Sequence, residues 1–396
     1  MPRRSPGSAR PTHDAAGAFA SPPHPLVRVG SVLLLLFVFL LGVKGLGDGF
    51  KLLGSDLLEA FFETTANPFI GLIVGVLATT LVQSSSVSTS MIVGLVAAPE
   101  NPLPLANAVP MIMGANIGTT VTNTIVSLAH MGRPNEFRRA FAVATCHDFF
   151  NYMSVAVLLP LELTTGFLRR TATLLATSLE GAGGVQYQSP LRGALSVGMA
   201  PIERLGEALF SSEGGLATYL IAVSAALIFV ALTLLVRVMR SVVQSRVETF
   251  ITGVLGSSAM LSILVGAIVT VMVQSSSITT ALLVPLAGAG LLRLDQAFPI
   301  TIGANIGTTV TALAAALALS GPNAIAGVEI AVIHLLFNLS GTILVYPIPA
   351  VRRVPVRAAT RLAEVAVGSR KVAVLYVALL FYGVPALLIF LSRVLG

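Results

Sequence analysis

Two nearly identical pairs of polar motifs lie inside apolar stretches of this chain. VQSSS occurs at Val82–Ser86 and again at Val273–Ser277, and the string GANIGTTVT follows each copy, at Gly114–Thr122 and at Gly303–Thr311. The motifs contain amides and hydroxyls but no Lys, Arg, Asp or Glu. A fixed Arg would hold a dianion too tightly for release, whereas neutral groups bind it reversibly. The duplication therefore predicts a binding site built from two copies of one polar motif.

The groups in these motifs suit two kinds of ion. Helices that begin at the serine clusters present N–H donors and the positive end of the helix dipole, which suit an oxyanion such as phosphate or sulfate. Carbonyl, threonine and asparagine oxygens suit a hard monovalent cation, and Na⁺ is the candidate. Further motif residues that could bind the anion are Ser86, Ser277, Asn116 and Asn305. Those that could bind the cation are Thr119, Thr122 and, again, Asn305.

The same residue types have a purely structural interpretation. Ser and Thr in membrane helices often only hydrogen-bond to a backbone, and small residues often only allow close helix packing. The return of both strings favours a function over packing alone. A Ser/His/Asp hydrolase is a weaker alternative, because no G-x-S-x-G elbow accompanies the serines and a duplicated serine cluster serves no single nucleophile.

His147 and Asp148 are ionisable residues inside a predicted span. Such groups are functional by default. The alternative is that both residues lie near the cytoplasmic end and pair with Arg138 or Arg139. Two residues of the second half, Glu329 and His334, leave the same two alternatives open.

The composition predicts an all-α polytopic membrane protein. The chain is 55% hydrophobic and 10% charged, against roughly 25% charged residues in soluble domains. Several runs approach the roughly 20 apolar residues that cross a bilayer; they are Val29–Gly45, Ala217–Val236, Ile325–Tyr346 and Val372–Leu391. The net charge of +7 is explained by Lys and Arg kept on the cytoplasmic side, so no nucleic-acid partner is expected.

The repeats divide the chain into five parts. We expect a disordered cytoplasmic tail (1–25), repeat 1 (26–161), an external linker (162–216), repeat 2 (217–350), and a basic cytoplasmic segment with a last transmembrane helix (351–396). Within repeat 1, Asp48–Thr65 is amphipathic and is expected to lie at the membrane interface.

Each QSSS motif (83–86 and 274–277) is predicted to form the tip of a re-entrant helical hairpin, because a broken helix is tolerated only where it faces protein or a watery cavity. The hairpins end at Ala98–Leu105 and Gly290–Ala297. The GANIGTT strings open or interrupt the next span, and the third span carries HDFFN or HLLFN. Three crossings and one hairpin make the second repeat inverted relative to the first.

Charge placement agrees with a cytoplasmic N-terminus. The basic residues Arg133, Arg138 and Arg139, together with the stretch Arg352–Lys371, then face the cytoplasm, and the uncharged turn Ser320–Ala326 faces outward. Counting alone would place the C-terminus outside.

Longer strings carry a resemblance to a known family. They are VQSSSVSTS, GANIGTTVTNTIV, EFRRAFAVATCHDFFNYMSVAVLLPLE, QSSSITTALLVPL and GANIGTTVTALAAALA. Together they resemble the type II sodium–phosphate cotransporter family, over about residues 30–350. The resemblance implies Na⁺-driven uptake of inorganic phosphate by alternating access, with no enzymatic activity and no organic cofactor. A symporter of another oxyanion or of a small carboxylate is the alternative.

By motif position, the resemblance also implies roles for individual residues. It assigns phosphate to the two serine tips, at Gln83, Ser84, Ser85, Gln274, Ser275 and Ser276. It assigns sodium to Gln274, Thr308, Thr311 and Asn151.

The chain departs from the family's animal members in two respects. Arg133 stands where an acidic residue precedes EFRRAF, which puts one sodium site in doubt, and Asp148 could supply the missing carboxylate. The short linker and tail favour a bacterial inner-membrane member. The oligomeric state stays open, with a homodimer as one alternative.

Overall fold

The described part of the chain is helical throughout. The computed structural model describes residues 25–52, 63–183, 192–254, 258–319 and 322–394, and these residues contain no strand. This confirms the predicted all-α class. Residues 1–24 of the predicted tail, 53–62 of the predicted interfacial stretch and 320–321 of the predicted external turn lie outside the described residues.

Sixteen α-helices are numbered here in chain order. They are α1 (Pro25–Leu52), α2 (Pro68–Val82), α3 (Ser85–Val96), α4 (Leu105–Thr119), α5 (Val121–Leu128), α6 (Pro134–Thr165), α7 (Phe167–Gly183), α8 (Arg192–Leu209), α9 (Glu213–Val254), α10 (Ala259–Val273), α11 (Ser276–Gly288), α12 (Leu294–Ala318), α13 (Ala324–Val345), α14 (Pro349–Gly368), α15 (Arg370–Val377) and α16 (Val384–Val394). A π-helical segment, Ala378–Gly383, joins α15 to α16.

Several of these helices are long and apolar enough to cross a membrane. Within the described ranges, five segments meet that standard, namely Pro134–Thr165, Glu213–Ala231, Leu294–Leu317, Ala324–Val345 and Arg370–Ser392. Shorter apolar helices accompany them, among them α2, α3, α10 and α11. The chain is therefore a multi-pass helical membrane protein.

Both serine motifs lie at breaks between two helices, as the sequence predicts. α2 ends at Val82 and α10 at Val273, and the next residue in each case is a glutamine in the left-handed region, with φ of 55° at Gln83 and 56° at Gln274. Non-glycine residues rarely adopt this conformation. The backbone then becomes extended at Ser84 and Ser275, and α3 and α11 begin. The two copies share one backbone geometry.

Glycines of the GANIGTT strings bring helix backbones into contact. A Cβ on Gly114 would overlap the carbonyl of Leu72 in α2, and a Cβ on Gly303 would overlap the carbonyl of Ile263 in α10. α4 therefore packs directly on α2, and α12 packs in the same way on α10. This close approach is the packing role of small residues in membrane helices.

Each serine-motif helix also packs against the other repeat. α3 contacts α12 and α13, whereas α11 contacts α5 and α6. In the second of these contacts, Thr280 of α11 bonds to Asn123 of α5, so the second serine-motif helix is tied to the first repeat by a hydrogen bond.

Three local features differ from the sequence expectations. The GANIGTTVT string interrupts the helix only in the first copy, at Thr120, whereas α12 runs through the second copy unbroken. The second hairpin loop is shorter than Gly290–Ala297, because α12 already begins at Leu294. The polar linker contains α7 and α8, whose buried positions recur every four residues, at Leu168, Ala172 and Ala176 and at Leu195 and Met199. Its polar composition conceals this helical period.

Candidate functional site

A continuous series of buried polar side chains joins the two repeats. We call it the polar chain, and its members in order of contact are Thr280, Asn123, His147, Asn305, Asn151, Asn116 and Asn338. All of them are buried, in helices α4, α5, α6, α11, α12 and α13. A buried polar group without a partner costs free energy, so neighbours in such a place must satisfy one another.

His147 is the centre of the first part of the polar chain. Its Nε2 lies 2.7 Å from Asn305 Oδ1, and its Nδ1 lies 3.2 Å from Asn123 Nδ2. These partners assign a neutral ring that donates from Nε2 and accepts at Nδ1. The hydroxyl of Thr280 lies 2.9 Å from Asn123 Oδ1 and 2.8 Å from the carbonyl oxygen of Ser276, so the polar chain reaches the second serine motif.

Three asparagines continue the polar chain across the repeat boundary. Asn305 donates to Asn151 Oδ1 at 2.9 Å, and Asn151 donates to the backbone carbonyl of Asn116 at 2.7 Å. Asn338 Nδ2 then donates to Asn116 Oδ1 at 3.2 Å. The structure thus brings together three predicted ligands, Asn116, Asn151 and Asn305, from both copies of the motifs.

The serine clusters lie at the first turns of α3 and α11. Ser84 Oγ accepts from the N–H of Val87 at 3.3 Å, and Ser275 Oγ accepts from the N–H of Ile278 at 3.4 Å, so both are helix N-caps. The remaining predicted anion ligands of the clusters have different exposures. Ser85, Ser86 and Ser276 are buried, Gln274 and Ser277 are half-buried, and Gln83 is exposed.

Among the predicted sodium ligands, two pairs share a hydrogen bond. One is the pair Asn151 and Asn305 described above, and the other is Gln274 and Thr311. Thr311 donates to Gln274 Oε1 at 3.1 Å, while Gln274 Nε2 donates to the carbonyl of Val271 at 2.6 Å. Thr308 and Thr119 donate within their own helices, to Ala304 and Ala115. The hydroxyl oxygen of Thr122 is buried and has no partner among the described residues.

Asp148 forms a separate cluster beside the polar chain. It is fully buried, and its Oδ2 accepts from Tyr376 at 2.8 Å and from Thr124 at 3.3 Å. Its Oδ1 has no partner among the described residues. Arg139 does not pair with it but donates from Nε to the carbonyls of Ala287 and Gly288 at 3.0 and 3.1 Å. A buried carboxylate with a free oxygen is a suitable ligand for a cation.

Four residues of the site lie outside the set predicted from the sequence. Asn123 directly follows the first GANIGTTVT string, and Thr280 lies three residues after the second serine cluster. Their closeness to the motifs in the sequence is the signal that indicates both. Asn338 occupies the same position in HLLFN as Asn151 in HDFFN, which is a second available signal. Tyr376 lies outside the duplication, and no repeat pattern indicates it.

Comparisons with known proteins give a consistent result. The family model described as Na+/Pi-cotransporter matches residues 38–176 and 227–387. The chain is 35% identical to the rat protein "Sodium-dependent phosphate transport protein 2A" over 93% of this chain and 68% of that protein. It is 32% identical to the human protein "Sodium-dependent phosphate transport protein 2B" over 90% of this chain and 64% of that protein. No solved structure matches the chain.

The Asp148 cluster generates a stability prediction. Tyr376→Phe removes one donor from a buried carboxylate but keeps the ring contacts with Phe141 and Phe381, at 6.2 and 6.1 Å between centroids. We expect a destabilisation of about 1–3 kcal/mol, measured as a lower melting temperature in detergent. Tyr382→Phe is the matched control, because Tyr382 follows in the π-helical segment and its hydroxyl is not bonded to Asp148. Equal melting temperatures for the two variants would contradict the prediction.

Proposed function

We propose that the two serine-capped helix N-termini bind phosphate, and that alternating access then moves it across the membrane. The chain belongs to the Na+/Pi-cotransporter family and cotransports phosphate with sodium. The observation that carries the proposal is the pair of identical helix breaks, at Gln83–Ser84 and at Gln274–Ser275. The chain is thus a transporter and not an enzyme, and phosphate and Na⁺ are its substrates.

The phosphate site consists of groups that favour an anion without a permanent positive charge. The first-turn N–H groups of α3 and α11 and the hydroxyls of Ser85 and Ser276 are donors, and both helix dipoles add positive potential at their N-termini. Asn116 on α4 and Asn305 on α12 are further candidate ligands, whose amides belong to the polar chain in this structure. Because no Lys or Arg belongs to the motifs, the co-transported cation supplies the compensating charge.

The proposed sodium ligands are oxygen-bearing side chains, and two of them lie at the second tip. Gln274 and Thr311 are already within hydrogen-bond distance, and Thr308 lies one turn before Thr311 on α12. Asn151, Thr119 and Thr122 are the candidates of the first half. Oxygen donors of this kind match the preference of a hard cation.

Asp148 supplies a carboxylate ligand in place of the acidic residue that Arg133 replaces. Arg133 has 76% of its side chain exposed and pairs with Glu136 at 3.0 Å, so its charge is screened and neutralised locally. Asp148, by contrast, is fully buried with one oxygen unpartnered. The contrast favours Asp148 as a sodium ligand over the loss of that sodium site.

Two contacts support repeats of inverted topology with re-entrant hairpins. Asn323, in the turn predicted to face outward, donates to the carbonyl of Ala98 in the first hairpin loop at 2.6 Å. Arg139, predicted to be cytoplasmic, bonds to Ala287 and Gly288 next to the second hairpin loop. Each contact joins one hairpin loop to a segment of the other repeat that the inverted arrangement assigns to the same side.

Reconstitution tests the transport function directly. We expect labelled phosphate to accumulate in proteoliposomes under an inward sodium gradient, and the accumulation to disappear when K⁺ replaces Na⁺ or the gradient is dissipated. Excess sulfate or acetate is the control for the alternative substrates. If sulfate or acetate inhibits the uptake of labelled phosphate as strongly as unlabelled phosphate does, the substrate is a different anion. Uptake that does not depend on sodium would refute the coupling.

Substitution of the capping serine tests the phosphate site. Ser275→Ala removes a donor to a desolvated anion, which costs on the order of 1–3 kcal/mol, or about 5- to 150-fold in apparent phosphate affinity. It also removes a helix cap, so Ser258→Ala is the matched control. Ser258 caps α10 in the same way, with its Oγ 3.4 Å from the N–H of Leu261, and its loss should leave phosphate affinity unchanged. Unaltered affinity in both Ser85→Ala and Ser275→Ala would remove the serine tips from the site.

Cysteine labelling tests the inverted topology. Cys146 is the one cysteine of the sequence, so Cys146→Ala provides a cysteine-free background. We expect an impermeant reagent outside oriented vesicles to modify Pro322→Cys but not Leu291→Cys. Both positions are exposed, one before α13 and the other in the second hairpin loop. Modification of both positions from one side would rule out the inverted arrangement.

A further inference from the structure

Equivalent positions of the two repeats have different hydrogen bonds in this structure. The motifs pair His147 with His334, Asn151 with Asn338, and Asn116 with Asn305. Asn305 bridges His147 and Asn151, since its Oδ1 faces the histidine and its Nδ2 donates to Asn151. We call these three residues the first set. In the second set, Asn116 could bridge His334 and Asn338 in the same way, but its Nδ2 donates instead to the carbonyl of Ile112 in its own helix, at 2.9 Å.

The atoms left without partners are those that the same bridge would use in the second set. His334 is fully buried, and neither of its ring nitrogens has a partner among the described residues. Asn338 Oδ1 is likewise buried and unpartnered. If the amide of Asn116 turned away from Ile112, its Oδ1 could accept from His334 and its Nδ2 could donate to Asn338 Oδ1. One rotation would satisfy the acceptor of Asn338 and one nitrogen of His334.

The helix breaks also differ between the repeats, but here the bonded residues are in the second repeat and the unpartnered ones in the first. Gln274 bonds to Thr311 and Thr270 bonds to Thr279, at 3.1 and 2.9 Å, in the second repeat. In the first repeat the equivalent threonines, Thr122 and Thr79, have buried hydroxyl oxygens with no partner in the described part of the chain. Both repeats therefore have unpartnered atoms at positions whose counterparts are hydrogen-bonded.

We propose that His334 is a positioning residue of the transport cycle, which orients Asn116 in the opposite-facing state as His147 orients Asn305 here. The proposal rests on the inverted repeats and alternating access of the proposed function. Inverted repeats are related by a pseudo-two-fold axis in the membrane plane, so exchanging the conformations of the two halves turns a site open to one side into a site open to the other. The bonds of His147 would then open while those of His334 close, and each asparagine would be held in place in only one of the two states.

This exchange explains why buried groups are left without hydrogen bonds in the state seen here. A buried imidazole without hydrogen bonds destabilises the state seen here, and a bonded one stabilises the alternative. A two-state protein needs its states to be close in free energy, so that ligand binding can shift the population. Polar groups satisfied in turn, one set per state, keep the two states balanced.

Paired substitutions of the two histidines test the proposal. His334→Phe, and His334→Leu as a second variant, should not lower the melting temperature, because no hydrogen bond is lost in this state and an unsatisfied polar group is removed. The maximal rate of sodium-driven phosphate uptake should fall by about tenfold or more, because the opposite state loses its bond. His334→Gln keeps a donor and should restore much of the rate. His147→Phe, the repeat-related comparison, should lower the melting temperature, because its bonds are formed here.

The outcomes separate this inference from the proposed function. Normal uptake by His334→Phe would overturn the positioning role while sodium–phosphate cotransport stands. A rate that falls only in proportion to the melting temperature, without recovery in His334→Gln, would show a structural role and would also overturn it. Absence of sodium-driven uptake in the unmodified protein, measured in the same preparation, would instead contradict the proposed function.

Discussion

Polar side chains buried among apolar helices must be satisfied by one another, and the centre of this molecule is organised by that constraint. In the hydrocarbon region of a membrane, no water is present to hydrogen-bond with an unpaired amide or hydroxyl. The bond between His147 and Asn305 is the clearest result, because it joins α6 of one repeat to α12 of the other. The asparagines on either side extend it into a continuous polar chain. The two repeats therefore share one polar interior.

The apolar residues and glycines determine where that interior can form. α4 and α12 approach α2 and α10 at backbone distance, because Gly114 and Gly303 carry no side chain. This places Asn116 and Asn305, two residues further along, at fixed depth in the bundle. The left-handed glutamines end the preceding helices, and the serines start new ones. Neutral groups held in this way can bind an anion and release it, since no fixed charge has to be separated from it.

The difference between the halves is as informative as their likeness. The same residue types occur at matching positions, yet a bond present in one half is absent in the other. In a rigid symmetric protein, buried groups left unsatisfied in one half only cost free energy. In a protein with two states of similar free energy, each state can satisfy groups that the other state leaves unpaired. The Asp148 cluster is a further asymmetry, since the equivalent position in the second half is Leu335.

The amino-acid sequence by itself determined the helical class, the membrane character, the duplication and the positions of the helix breaks. These follow from local composition and from strings that repeat letter for letter, and neither depends on distant contacts. The sequence also indicated most of the polar residues, because they lie within the repeated strings. Only the tertiary structure decided which of them meet. His147 reaches Asn305 and Asn123 across long sequence separations, and Tyr376 reaches Asp148 from a helix outside the duplication. Partners of this kind depend on how helices pack, and the pattern of residues along one helix does not record which neighbour it will contact.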